Sequence, residues 1–289
     1  MKRCPECGKP YDDDLTYCPD DGYMLVPETG GEDDPYLGAV FENRYRVVKR
    51  VGEGGMGSVY LARNINAEMD VALKVLTAAA SKDENVVKRF EAEKRIIAKL
   101  RHPNILKLND SFRAPGGELV IVMEYVNGQP LDDLIRGETL SAARTMYILR
   151  EVCDALTEAH ETGIIHRDLK PSNLMIEHVG DRDIVKILDF GIAKNLEGAE
   201  GLTMGHALGT PAYMSPEQVR GSAELDGRSD IYSMGIVAYE CLVGKPPFIG
   251  STPYSIIHKH INEIPKPLSD VVPPINCDAD AEALIMQLL

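Results

Sequence analysis

The stretch His166-Arg167-Asp168-Leu169-Lys170-Pro171-Ser172-Asn173 concentrates charged and amide side chains, and Asp189-Phe190-Gly191 begins 21 residues after Asp168. A carboxylate such as Asp168 can accept a hydroxyl proton, and Lys170 can neutralise a phosphate. Asn173 and Asp189 offer hard oxygens suited to Mg²⁺ or Mn²⁺. Phosphoryl transfer needs such a set, because it depends on positioning and charge neutralisation more than on covalent chemistry. Upstream, Gly52 to Val59 reads G-x-G-x-x-G-x-V after the strand-like run Tyr45-Arg46-Val47-Val48. Gly52, Gly54 and Gly57 carry no Cβ and tolerate positive φ, so a hairpin there can bend closely over phosphates. Alone, such a triplet is more often a flexible turn, and this one does not open a helix as a dinucleotide fingerprint should.

The octet and the Asp-Phe-Gly tripeptide together resemble the catalytic and metal-binding segments of protein kinases, and Lys170 resembles the serine/threonine-specific branch. The rest of that family's signature follows in order. Val71-Ala72-Leu73-Lys74 looks like the strand whose lysine holds the α- and β-phosphates of ATP. Its carboxylate partner is expected on an amphipathic helix over residues 85 to 100, with Phe90, Ile96, Ile97 and Leu100 on the apolar face. Glu91 and Glu93 both qualify; Arg101-His102-Pro103-Asn104-Ile105 resembles the loop after that family's helix, and counting back from it selects Glu93. Leu119 to Val126 resembles the strand and hinge between two lobes. Met123 would then be the gatekeeper, and the backbones of Glu124 and Val126 would bond the adenine edge. Ala72, Val59 and Leu174 would sandwich its ring, which suits a flat aromatic ligand.

Gly209 to Glu217 (GTPAYMSPE) resembles the end of an activation segment, with Ser215 where alanine is commoner. By the same resemblance Thr210 contacts Asp168 and Lys170, and Asp230 braces the catalytic loop, with Tyr232 where tryptophan is more usual. Arg167 would pair with a phosphorylated activation-segment residue. Thr203 is the one hydroxyl-bearing residue between 194 and 208, which makes it the expected autophosphorylation target.

A second constellation lies at the front. Cys4-Pro5-Glu6-Cys7-Gly8 and Cys18-Pro19-Asp20-Asp21-Gly22 are two copies of one short pattern, 14 residues apart. Each suits a zinc knuckle, in which a tight turn presents ligands and the trailing glycine lets backbone N–H groups approach sulfur. Cys4, Cys7 and Cys18 would bind Zn²⁺ with Asp21 as fourth ligand, a harder donor that weakens the site. Asp20 or water could replace it. The competing reading is a redox dithiol or a disulfide at Cys4 and Cys7.

The 289 residues carry a formal charge of −14, and residues 1 to 34 hold ten acids against three bases. An acidic front disfavours nucleic acid, which wants a basic footprint. Cys153, Cys241 and Cys277 stand singly in apolar surroundings and look like core thiols. Neither a signal peptide nor an apolar run near 20 residues is evident, so a cytoplasmic location is expected, with a membrane anchor beyond residue 289 left open. The C-terminal stretch 278 to 289 reads as a helix with Ala281, Leu284, Ile285 and Leu288 on one face. Kinases of this kind continue into a further helix whose arginine meets Glu217, so a fragment of a longer protein is expected.

The reading is an α+β, bilobal protein-kinase fold resembling the bacterial Hanks-type serine/threonine kinases. A zinc-ribbon-like module (1–26) and an acidic linker (27–44) would precede a kinase domain (45–289) with lobes 45–126 and 127–289. Its partners would be ATP, proteins bearing Ser or Thr, and a second copy for autophosphorylation. The alternative is a nucleotide-binding pseudokinase scaffold that recruits partners through the ribbon; the intact Lys74, Asp168, Asn173 and Asp189 weigh against it.

Overall fold

The computed structural model describes residues 2–3, 9–12, 15, 19, 26–27, 34–54, 57–97, 99–180, 182–190, 211–222, 225–271, 275 and 277–289. Residues 2, 3, 26, 27, 85, 89, 90, 92, 93, 95 and 96 are described by their backbone alone. The chain divides into two compact units, one of residues 1–88 with 107–125 and one of residues 89–106 with 126–289.

The first unit is a sheet unit. Three two-residue strands, β1 (Lys2–Arg3), β2 (Pro10–Tyr11) and β3 (Val26–Pro27), form a small antiparallel sheet in the order β2-β1-β3. The larger sheet contains β4 (Val40–Phe41), β5 (Tyr45–Gly54), β6 (Gly57–Asn64), β7 (Met69–Leu76), β8 (Leu108–Arg113) and β9 (Leu119–Glu124). Its order is β4-β5-β6-β7-β9-β8, antiparallel throughout. Strand parity decides which side chains meet, because successive residues point to opposite faces. Tyr45, Val47, Tyr60, Ala62, Val71, Leu73, Val75, Val120 and Val122 all enter one apolar cluster. Their neighbours Val59, Ala72, Lys74 and Met123 are thereby committed to the other face. Two register shifts in β5, at Val47/Lys49 and Arg50/Gly52, raise the local twist just before the glycines. After β7 the short helix α1 (Ala78–Lys82) is capped by the Thr77 hydroxyl, which accepts the Ala80 N–H at 3.1 Å.

Part of the stretch read as linker is folded. Tyr36 and Leu37 pack on the sheet's apolar cluster, Phe41 is buried within it, and β4 pairs Phe41 with Tyr45. The stretch's acid-rich composition reads as linker. The aromatic and apolar residues at its end find a core that composition alone does not reveal.

Helix α2 (Glu84–Ile97) ends three residues short of the expected span, and Leu100 is instead buried in the second unit's core. That unit is mainly helical. It contains α3 (Leu131–Gly137), α4 (Ala142–Glu161), α5 (Pro216–Val219), α6 (Arg228–Val243), α7 (Pro253–Asn262) and α8 (Ala279–Leu288). It also has a three-stranded sheet of β10 (Gln129–Pro130), β11 (Leu174–Val179) and β12 (Arg182–Ile187). Helix α6 is apolar nearly all round, as a helix at the centre of a core must be. It stops at Gly244, whose φ of +81° is the left-handed cap that a side chain would strain. Helix α8 is capped by Asp278, which accepts from the Ala281 N–H at 2.8 Å. Ala281 and Ile285 are buried as expected, but Leu284 is exposed, because the covered stripe is narrower than the sequence pattern implied. Cys241 is a core thiol, pushed up to about 12 by burial, while Cys153 and Cys277 are only partly buried. Among the described residues no helix is long and apolar enough to cross a membrane.

Candidate active site

The catalytic segment is anchored by a buried carboxylate. Asp230, fully enclosed in the first turn of α6, accepts the backbone N–H of His166 and of Arg167, each at 2.8 Å. The same carboxylate takes His160 Nε2, in the last turn of α4, at 2.8 Å. Hydrogen bonds to a charged acceptor each contribute about 1.5–3 kcal/mol, so this node is a strong local constraint. The constraint works against strain: Arg167 has φ +63° and Asp189 φ +34°, both in the left-handed region that non-glycine residues avoid.

His166 joins this loop to the Asp-Phe-Gly segment. Its Nδ1 accepts the Asp168 N–H at 3.3 Å, which leaves Nε2 as the donor to the Leu188 carbonyl at 3.0 Å. Its ring lies 4.8 Å from that of the buried Phe190. Lys170 Nζ stands 3.3 Å from Asp168 Oδ2. Asn173 Nδ2 donates to the Asp168 carbonyl at 2.8 Å, and the Asn173 carbonyl receives the Leu188 N–H at 2.8 Å. Asp168, Lys170, Asn173 and Asp189, predicted from sequence, are therefore gathered by one hydrogen-bonded loop pair. Lys170 and Asn173 both reach Asp168, and an amide and a carboxylate flank the segment where a divalent cation would be held.

In the sheet unit, Val59 is the cross-strand partner of Lys74, and Ala72 that of Met123. Four expected nucleotide contacts thus share one face of three adjacent strands. The Glu124 N–H donates to the Lys107 carbonyl at 3.0 Å, which narrows an adenine contact at Glu124 to its carbonyl. Val126 is buried, and Leu174 is almost wholly enclosed in the helical unit's core. The carboxylate of Glu91 pairs with Lys94 at 3.0 Å on their own helix, whereas the Glu93 side chain lies outside the described residues. Cys4, Cys7, Cys18, Asp21, Thr203 and Thr210 lie outside them as well.

The glycines differ in what they do. A Cβ on Gly57 would collide with the Val75 carbonyl and come within 2.9 Å of Leu76 Cα, whereas one on Gly52 would meet only Val59 Cβ, at 3.8 Å. Gly57 is required by the sheet itself, and at Gly52 the sheet leaves room for a side chain. Gly57→Ala is therefore expected to lower the melting temperature, and Gly52→Ala to leave it within about 2 °C while weakening nucleotide binding. Differential scanning fluorimetry with and without Mg-ATP separates the two.

Three features escaped the sequence. Ser215 caps α5 in a reciprocal pair with Gln218, and Gln218 Nε2 reaches the Arg167 carbonyl at 2.9 Å, tying residues after the activation segment to the catalytic loop. An S-x-x-Q signature carried that signal. Tyr232 donates to or accepts from His260 Nδ1 at 2.7 Å, and burial lowers the His260 ring to about 4. Glu217 accepts the Ser229 hydroxyl at 2.6 Å, and it lines a cavity of about 630 Å³ with Tyr232, Leu288 and Leu289.

In the helical unit one loop brings a carboxylate, an ammonium and an amide together, and in the sheet unit a lysine shares one face with apolar side chains. The protein kinase domain family matches residues 45–289, and the chain belongs to that family. It is similar to curated proteins named as serine/threonine-protein kinases. It is 41% identical over 272 residues to serine/threonine-protein kinase pkn3 of Myxococcus xanthus, covering 92% of this chain and 49% of that protein. It is 42% identical over 247 residues to serine/threonine-protein kinase PknB of Mycobacterium leprae, covering 84% and 39%. Among solved structures, a single-mutant form of the Mycobacterium tuberculosis PknI kinase domain superposes with a TM-score of 0.60 at 30% identity, covering 82% of this chain and 84% of that one. The fold is accordingly the α+β protein-kinase fold, with a sheet lobe and a helical lobe. The chain spans about half or less of the length of these curated relatives.

Proposed function

We propose that the chain transfers the γ-phosphate of ATP to serine and threonine hydroxyls of proteins. Asp168 orients the hydroxyl, Lys170 balances charge on the γ-phosphate, and Asn173 and Asp189 hold Mg²⁺ or Mn²⁺. Lys74, paired with Glu93, holds the α- and β-phosphates. The local engagement of Glu91 with Lys94 supports the choice of Glu93. Val59, Ala72, Met123, Glu124, Val126 and Leu174 form the adenine contacts, and Gly52, Gly54 and Gly57 cover the phosphates. The observation that carries the reading is the Asp168–Lys170–Asn173 cluster, held over Asp230 by two backbone hydrogen bonds. Transfer from γ-³²P-labelled ATP to serine and threonine of a generic protein acceptor tests it. ATP binding without any transfer would favour a pseudokinase scaffold instead.

Regulation follows from Arg167. Its Nε is buried without a hydrogen-bond partner among the described residues, and burial lowers its pKa although Asp230 opposes the shift. A half-buried cation in that state favours an incoming anion, supporting Thr203 as an autophosphorylation site and Thr210 as a contact of Asp168 and Lys170. Mass spectrometry after incubation with Mg-ATP is expected to find phosphate on Thr203. Phosphate only elsewhere, with Thr203→Ala fully active, excludes this switch. ATP supplies that phosphate, and a second copy of the chain is the natural catalyst of its transfer to Thr203.

For the front module we propose one Zn²⁺ held by Cys4, Cys7 and Cys18, with Asp21 as fourth ligand. The pairing of Arg3 with Pro10 supports it by bringing together the ends of the segment that carries Cys4 and Cys7. Elemental analysis is expected to give about one zinc per chain, lost in Cys7→Ser and only weakened in Asp21→Ala, since water can replace one oxygen. Zinc-free protein, or a Cys4–Cys7 disulfide under reducing conditions, rules the site out. Free thiolate ligands and ATP both fit a cytoplasmic location.

A further inference from the structure

Asp34 lies outside the region that the kinase family matches, yet its carboxylate is largely buried against the strands that carry the glycines. Both of its oxygens accept the Tyr60 hydroxyl at 3.1 Å, and one also accepts the Tyr36 N–H at 3.1 Å. Arg50 Nε is 3.8 Å from the other oxygen. Arg50 and Tyr60 are cross-strand partners on β5 and β6, and the next pair toward the tip is Gly52 with Val59. One carboxylate therefore holds both strands of the hairpin at the last position before its glycine end.

At that end β6 is laddered to β7, but β5 has less support. Strand β4 pairs only with Tyr45 and Arg46, so among the described residues the glycine half of β5 has a ladder neighbour on one side only. The ring of Tyr36 packs edge-on to Tyr60 at 5.8 Å, completing a strap over the hairpin. Because side chains alternate along β6, fixing Tyr60 in the apolar cluster fixes its neighbour Val59 on the face shared with Lys74. The half-exposed Arg50–Glu53 pair contributes little by comparison, so the buried Tyr60 hydroxyl is the effective link.

We propose that Asp34 is a positioning residue for the nucleotide, acting through Tyr60 on the hairpin that presents Val59 and the glycines. The proposal rests on the ATP reading above. Its test is the affinity of the full chain for the fluorescent nucleotide mant-ATP with Mg²⁺, alongside melting temperatures. Asp34→Ala is expected to weaken binding about fivefold and Tyr60→Phe about threefold, with Asp34→Glu restoring affinity to within about twofold. The double variant should be no weaker than Asp34→Ala alone, because both changes cut one link. At saturating ATP the turnover number should be unchanged while the KM for ATP rises, a split that general destabilisation does not produce. Wild-type-like mant-ATP affinity in folded Asp34→Ala, or losses that multiply in the double variant, overturns the proposal and leaves the kinase reading intact. Should Asp34→Ala not fold, an unchanged affinity in Tyr60→Phe overturns it equally. A wild-type chain that binds no mant-ATP fails the kinase reading itself, and this proposal with it.

Discussion

Asp168→Asn is expected to reduce phosphoryl transfer by about 10²–10⁴-fold, the usual contribution of a positioned proton acceptor, while leaving ATP affinity within a few-fold. The substitution is nearly isosteric, and the segment's shape does not depend on the charge it removes. The Asp168 carbonyl, not its side chain, receives the shorter of the two hydrogen bonds from Asn173, at 2.8 Å against 3.4 Å. The loop is held from Asp230 by backbone N–H groups of His166 and Arg167, which the variant keeps. What the variant loses is the carboxylate that Lys170 meets at 3.3 Å and, on the proposed reading, the acceptor for the substrate hydroxyl proton. Single-turnover transfer from γ-³²P-labelled ATP, beside mant-ATP binding, separates the two quantities. Near-normal transfer in this variant would remove Asp168 from the mechanism, and equal loss of nucleotide binding would mean that the residue shapes the fold.

Much of this site is legible in the sequence because it is local. The alternation in Val71-Ala72-Leu73-Lys74-Val75 states which residues enter the core and which face away, and β7 obeys it. The octet and the Asp-Phe-Gly segment are short enough that residue order nearly dictates the hydrogen bonds among Asp168, Lys170 and Asn173. What stays hidden is contact between residues far apart in the chain with no periodic pattern to announce it. Tyr60 meets Asp34 across 26 positions and Tyr232 meets His260 across 28. Asp34, Tyr60 and His260 carry no signal alone, and Tyr232 stands out only for occupying a place where tryptophan is more usual. Asp34 is further masked by its neighbours, since an acid at the end of an acidic run looks like one more solvated charge. Tyr36, Leu37 and Phe41, which follow it, are the apolar residues that pack on the sheet's cluster. Ser215 differs in part: its cap with Gln218 is local and announced by the S-x-x-Q spacing, whereas the reach of Gln218 to Arg167, 51 positions away, is not.

The second large effect is expected at Asp230, which contacts no substrate. Asp230→Asn should lower stability by about 3–5 kcal/mol and transfer by at least about 10²-fold. The carboxylate has acceptors on both oxygens: Oδ1 takes the Arg167 N–H, and Oδ2 takes the His166 N–H and His160 Nε2. An amide has one acceptor, so one of these sites would present N–H to N–H in a fully buried place, with neither group able to reach water. The segment concerned is the strained one. Arg167 sits at φ +63°, a conformation costing of order 1–3 kcal/mol that persists only while its surroundings impose it. Released from Asp230, residues 166 and 167 should relax toward ordinary backbone angles and carry Asp168 away from its place. His160→Ala removes only a side-chain donor at the edge of the node, so it should cost less in both stability and rate. Thermal melting and transfer kinetics on the two variants test the ranking. Asp230→Asn melting with the wild type and retaining a tenth or more of its rate would show that the loop holds its shape without the buried carboxylate.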